Sequence, residues 1–374
     1  MARIVDVARR AGVSTATVSR VLNGKNVRPE LAALVRTAVS ELGYSPDRTA
    51  RSLRRRHSEV IALVLPDVEN PFFTAVARGV EDVALEAGFS VVLCNTDDRA
   101  DKEERYLAVA HDEKMAGVVL APATSAPPIE TLVENGRGVV VIDRRVVHEV
   151  DQVTFDNRSL GYRATRALIE RGFRRIACVT GPAATSTAVD RAEGWRDALR
   201  DEGLPVDDDL LVHANFRVDG GYEALGTLLG RSPAADAVLA TNNLAGVGVL
   251  RALADRHGGP VPSPSAGLSA GPGAGLSAGP GAGLSAGPGA GLSKRPGVGT
   301  GGEMSGPQLG VGVVGDLPFA TSRTSDVALV PLSPRGLGVT AAKLLLDRIA
   351  GDDAPARHVV QEVDDAVAPA RVMR

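Results

Sequence analysis

The sequence predicts a small all-α head followed by a two-lobed core of doubly wound parallel α/β sheets. Three observations predict it. Residues 4–43 place apolar side chains three and four apart, interrupted at Gly12, Pro29 and Gly43, which is the period and punctuation of short amphipathic helices. From residue 60 short apolar runs alternate with amphipathic stretches in two successive series, the pattern of parallel strands covered by helices on both faces. The chain has 374 residues, more than one hydrophobic core usually serves.

In the head, Ile4, Val7, Ala8 and Ala11 share one side of a first helix, and Gly12 permits a turn. Ser14 is placed to cap a second helix from Thr15 to about Leu22, with Val18, Val21 and Leu22 inward. Pro29 opens a third helix, where Leu31, Leu34, Val35, Ala38, Val39 and Leu42 recur as a stripe ended by Gly43. Two helices joined by a glycine turn, closed by a third, make a helix-turn-helix unit. In such a unit the second helix enters the DNA major groove. Thr15, Ala16, Thr17, Ser19 and Arg20 then fall on the reading face, with Arg20 matched to the acceptor edge of guanine. Ser14 and Asn23 fall to phosphates. Charge agrees. Residues 1–57 hold twelve Lys and Arg against four Asp and Glu, a net of +8, whereas the remainder holds 30 against 41, a net of −11. A basic head on an acidic body points to a polyanionic partner for the head.

The stretch YSPDRTARSLRRRH continues the head. Ser45 and Pro46 signal a helix start, and 47–54 makes about two turns, too short to be stable alone. Arg48, Arg51, Arg54, Arg55 and Arg56 repel one another until phosphates neutralise them. The expectation for 46–58 is a hinge helix that forms on DNA. Arg51 would sit on a phosphate and Ala50 in the minor groove, with Leu53 wedged between base steps. A flexible linker is the alternative.

In the body, VIALVLP, SVVLCN, GVVLAPA and GVVVID form the first series; QVTFDN, RIACVTG, LLVHA and DAVLATN form the second. Ligands of such sheets bind at the strand C-terminal ends. No run of 18 apolar residues and no apolar leader core occur, so a cytoplasmic protein is expected. Cys94 and Cys178 lie inside apolar runs and read as buried, reduced thiols. Two G-x-G-x-x-G matches, at Gly297 and Gly310, lack the strand-turn-helix context that phosphate binding needs. No P-loop, zinc spacing or nucleophile elbow accompanies them, so no catalysis, metal or cofactor is expected. Residues 260–308 are a low-complexity insertion in which SAGPGAGL repeats three times from Ser269 to Leu292. Its composition buries too little apolar area to fold.

DVARRAGVSTATVSRVLNG followed by ELGYSPDRTARSLRRR resembles the lactose-repressor (LacI/GalR) family of bacterial transcription regulators. The likeness continues through IALVLPDVENPFF, VTFDN, RIACVTGP and ATNNLAGVGVLRAL. It implies a periplasmic-binding-protein-like core whose chain crosses between lobes three times, placed here near Asp156, Thr321–Arg323 and Ile349. The expected organisation is a head at 1–45, the hinge, an N-terminal lobe of 59–156 and 323–348, and a C-terminal lobe of 157–322 and 349–368. A tail of 369–374 follows. Candidate effector residues are Phe72, Phe73, Asp143, Arg144, Asp156, Arg191, Asn242 and Asp316. Phe72 and Phe73 are equally suited to core packing, Arg191 to a helix surface, and Asn242 to a helix cap. Asp143, Arg144 and Asp156 sit at strand ends, where carboxylate and guanidinium groups grip hydroxyls. The text GVVGDLPFAT is two residues shorter than the family pattern, which bears on Asp316. Arg3 and Arg28 stand where the family often has a capping Thr or Ser. The resemblance implies a homodimeric regulator, most often a repressor, that binds operator DNA and answers to a sugar or nucleoside effector. A solute-binding module is the competing reading.

Overall fold

The computed structural model describes residues 2–22, 26–44, 58–256, 309–317 and 327–363. Asn23, Ala50, Arg51 and Leu53 lie outside the described residues, as do the insertion, the 321–323 crossing and the tail.

Three helices form the head: α1 (Ile4–Ala11), α2 (Thr15–Leu22) and α3 (Pro29–Glu41). Their shared core is Val7, Ala8, Ala11, Val18, Val35 and Ala38. Gly12 has φ 66°, a left-handed conformation that ends α1 and aims α2. Arg10 reaches Glu41 at 2.6 Å and ties α1 to α3. One part of the periodicity reading is corrected. Leu34 and Leu42 are exposed, at 52% and 36%, because three short helices enclose only a narrow stripe and the α3 positions at its rim face outward.

Contact density divides the chain into two units. The first comprises residues up to Phe155 together with Ser333–Glu362. Its sheet contains β1 (Val60–Leu65), β2 (Ser90–Asn95), β3 (Gly117–Leu120), β4 (Gly138–Ile142), β5 (Asp151–Phe155) and β11 (His358–Gln361), ordered β11-β5-β4-β3-β1-β2. All its pairings are parallel. β1, β3 and β4 are apolar at almost every position because both faces are covered. Around them run α4 (Pro71–Glu86), α5 (Ala100–Asp112), the short α6 (Glu130–Glu134) and, from the far end of the chain, α11 (Pro334–Ile349).

The second unit spans Asp156–Leu332 and resumes at Val363. It holds α7 (Asn157–Glu170), β6 (Ile176–Thr180), α8 (Ser186–Asp201), β7 (Leu211–His213), α9 (Val218–Leu229), β8 (Ala237–Ala240), α10 (Asn243–Arg256), β9 (Gly310–Val314) and β10 (Val327–Val330). The strand order is β10-β9-β8-β6-β7. A Cβ on Gly161 of α7 would overlap the Arg191 carbonyl of α8, and one on Gly194 would overlap the Arg158 carbonyl. These two helices therefore cross at backbone contact.

Two boundaries differ from those expected. β10 lies in 323–348 but pairs with β9, so it belongs to the second unit. β11 lies in 349–368 but pairs with β5 in the first. The observed divisions fall at Leu332 and Glu362. The reason is electrostatic as well as geometric. Asp151, at the start of β5 and without side-chain exposure, receives both Arg348 at 2.8 Å and Arg357 at 3.1 Å. Arg348 also donates to the carbonyls of Asp352 and Pro355. Together these bonds fasten the 348–358 return to the first sheet. Burial would raise the Asp151 carboxyl, but the Arg348 and Arg357 hydrogen bonds prevail and draw it down to about 2.

Candidate functional site

The head presents its second helix as expected at one end. Ser14 Oγ accepts the Thr17 amide at 3.1 Å, the cap read from the sequence. Thr15, Ala16 and Arg20 are exposed. Thr17 and Ser19 are only half-exposed, and the Thr17 hydroxyl lies 2.9 Å from that of Ser14. Of the residues expected on the reading face, Thr15, Ala16 and Arg20 are thus the exposed ones, with Ser14 exposed beside them. At the Arg3 cap of α1 no side chain bonds inward; instead Asp6 accepts the Arg3 amide at 2.9 Å.

At the C-terminal edge of the first sheet, Asn70 caps α4 by accepting the Phe72 amide at 3.0 Å. Phe72 is half-buried, edge-on to Phe73 at 5.0 Å and to Phe155 at 6.3 Å. Phe73 is 6% exposed and packs in the core, in keeping with the packing reading of the two. Asp143 ends β4 with φ 65°, outside the range most side chains adopt. Arg144 is 7% exposed. Its guanidinium is gripped by both oxygens of Asp98 and donates to the Pro122 carbonyl at 2.9 Å. Arg144 therefore clamps the ends of β2, β3 and β4, and what meets solvent beside it is a carboxylate.

At the corresponding edge of the second sheet, Arg191 is 4% exposed, so it is no surface arginine. It donates to Asn157 Oδ1 at 2.9 Å and to the Thr241 carbonyl at 2.7 Å. Asn242 does two things. Its Oδ1 accepts the Ala245 amide at 3.0 Å as a helix cap, and its Nδ2 donates to the Phe216 carbonyl at 2.7 Å. Asp156 is exposed and caps α7 through the Ser159 amide at 3.0 Å. Asp316 stands exposed just past β9. The sequence reading missed Phe216, Asn157 and Asp98. Phe216 has φ 60° and lays its ring where any side chain on Gly181 would collide. Its only signal was an aromatic between a strand and a glycine-rich helix start, ANFRVDGG.

Cys94 and Cys178 are free and buried, and burial pushes both thiols up. Among the described residues no group of three or more His, Cys, Asp or Glu is placed to hold a metal. No described helix is long and apolar enough to cross a membrane.

A helix-turn-helix head in one chain with two parallel-sheet units, whose strand ends gather polar and aromatic groups, defines a ligand-responsive DNA-binding transcription regulator. Residues 3–47 match the profile of bacterial regulatory proteins of the lacI family, and residues 58–261 match periplasmic binding proteins and the sugar-binding domain of that family. The chain belongs to the LacI family. It is 37% identical over 253 residues to the ribose operon repressor of Halalkalibacterium halodurans, covering 67% of this chain and 75% of that protein. Among solved structures, the transcriptional regulator CelR in complex with cellobiose superposes with a TM-score of 0.62 at 28% identity over 97% of each chain. The Lac repressor dimer bound to operator and an anti-inducer gives 0.71 at 18% identity over 96% of each, a likeness of fold.

Proposed function

We propose that the chain is a cytoplasmic, homodimeric repressor of genes for taking up or using a neutral pentose, with a ribose-like sugar as effector and no catalytic activity of its own. The observation that carries this reading is the pairing of an open Thr15–Ala16–Arg20 surface on α2 with strand-end groups suited to hydroxyls. Those groups are Asp143, Asn242 and the half-buried Phe72. A half-exposed phenylalanine packs the apolar face of a sugar ring, while carboxylate and amide groups take its hydroxyls. The name of the ribose operon repressor supports the pentose. A second copy is required because one head reads a half-site, and two-fold proteins suit pseudo-palindromic operators. Asn23, Ala50, Arg51 and Leu53 complete the proposed DNA contacts. Asp156, Arg191 and Asp316 belong to the proposed effector set, the first two as supports of the α7 and α8 edge.

Effector binding need shift operator affinity by only about 1–3 kcal/mol to act as a switch. The test is a random-site DNA selection with the full chain and its Arg20→Ala variant, coupled to a thermal-shift screen of D-ribose, hexoses and nucleosides. The reading expects a palindromic preference that loses selectivity at one base per half-site in the variant. It also expects the largest stabilisation from D-ribose. A sugar-binding protein with no DNA preference would be a solute-binding module instead.

A further inference from the structure

At the first unit's ligand edge the exposed charge is not the arginine that the sequence singles out. The Arg144 side chain is 8% exposed, that of Asp98 37% and that of Asp143 10%. Both terminal nitrogens of Arg144 bond the Asp98 carboxylate, Nη2 at 3.1 Å, and Nη1 also takes the Pro122 carbonyl. The guanidinium Nε is buried, has no hydrogen-bond partner and lies 3.8 Å from Asp143 Oδ2. Behind this group Glu103 is fully buried, accepting the Ala123 amide at 2.6 Å through Oε2 while Oε1 has no partner.

Asp98 is held in place by an uncommon backbone. Asp97 and Asp98 are successive left-handed residues, φ 55° and 58°, a conformation that non-glycine residues adopt rarely and singly. The loop after β2 is thereby committed to bringing a carboxylate 46 residues along the chain to Arg144. Two carboxylates now surround one guanidinium, and the planar fork that would bind a phosphate or carboxylate ligand is already filled. An approaching anion meets Asp98. A hydroxyl, which can donate, is accepted by it.

We infer that Asp98 is a specificity-determining counter-ion: by occupying the Arg144 fork it makes this edge accept neutral, hydroxyl-bearing effectors and reject anionic ones such as sugar phosphates. The inference deepens the pentose reading and rests on it for the neutral ligand only. A merely structural ion pair would set stability and leave the ratio of neutral to anionic binding untouched, so that ratio is the readout.

The full-length protein and its Asp98→Asn and Asp98→Ala variants are titrated with D-ribose and D-ribose 5-phosphate by calorimetry, and with inorganic phosphate by thermal shift. Wild type is expected to favour D-ribose over its phosphate by about 100-fold or more, the scale of like-charge apposition. Both variants are expected to narrow that ratio by about tenfold and to gain a phosphate-dependent rise in melting temperature that wild type lacks. An unchanged ratio and an unchanged phosphate response in the near-isosteric Asp98→Asn protein overturn the inference. If wild type binds neither sugar, the pentose reading falls, and the phosphate response of the variants against wild type still decides the role of Asp98.

Discussion

The two α/β units reach the same architecture by different means. In the second unit the helices that pack together are neighbours in sequence: α7 with α8 through Gly161 and Gly194, and α9 with α10 through Gly221 and Gly248. In the first, α4 meets α11 through Gly79 and Gly338, so a helix from each end of the chain must be brought together. That unit is closed by a returning segment, and the returning segment is fastened by charge at Asp151. At the strand ends, Arg144 is held by the Asp98 carboxylate and the Pro122 carbonyl, and Arg191 donates to an amide oxygen and a main-chain carbonyl. Closure by local packing is indifferent to pH; closure by a buried carboxylate is not.

The largest effect expected from breaking this contrast is Gly161→Val. Its branched side chain would be driven into the Arg191 backbone, destabilising the second unit by about 3 kcal/mol or more, since neither main chain can yield without the other. Loss of the proposed D-ribose stabilisation should accompany it, because Arg191, a proposed support of that site, moves with α8. Thermal melts followed by circular dichroism check both.

Arg348→Ala attacks the other kind of closure. It strips Asp151 of its principal partner and leaves a buried carboxylate with Arg357 alone, a loss of about 2–3 kcal/mol. Urea titration reads it. If the loss is negligible, the return of α11 and β11 is held by packing and the contrast between units is false.

Acid sharpens the comparison further. Asp151 has a folded-state value of about 2 against 3.8 for the unperturbed group, so its contribution is present above pH ~4–5 and disappears as pH falls toward 2. The size is about 2 kcal/mol by linkage. Denaturation midpoints from pH 6 to 3 should fall less in Asp151→Asn than in wild type. The variant should start from the lower stability, because it gave up the paired carboxylate at neutral pH.

The smallest expected effect lies in the head. Arg3 caps α1 without a side-chain bond, so Arg3→Ser should stabilise the head by about 0.5–1 kcal/mol. Because Asp6 already holds the Arg3 amide, the serine completes a capping box. A head-specific rise in hydrogen-exchange protection of α1 would register it.

How far the chain could be read without its fold follows from these cases. The head was legible because each of its signals is local: Gly12 at the turn, Ser14 as a cap, Val18 and Val35 on the inner stripe. The strands were legible because a doubly covered strand needs an unbroken apolar run, as in VIALVL. Arg191 was legible as a position and ambiguous as a role, since a buried and a surface arginine have the same place in a helical repeat. Leu34 and Leu42 fit the stripe and yet lie outside it, because periodicity fixes an angle around a helix and not the width of what it packs against. Nothing in VALV or HVVQ says which sheet each joins, and each pairs in the other unit from the one its residue range suggests.

By itself the sequence determined the helix-turn-helix head with its basic charge, the alternation of strands and helices, and the strand ends at which ligand groups would gather. Each is set by backbone sterics and hydrophobic period within a few residues. Only the tertiary structure decided that 327–330 and 358–361 exchange places between sheets, that Asp151 anchors the return, and that Asp98 covers Arg144. The strand exchange depends on backbone pairing between distant segments, and the anchoring of Asp151 and the covering of Arg144 depend on which charge finds which partner 46 to 206 residues away. Pairing energy of that kind is a property of three-dimensional proximity, which no local pattern encodes.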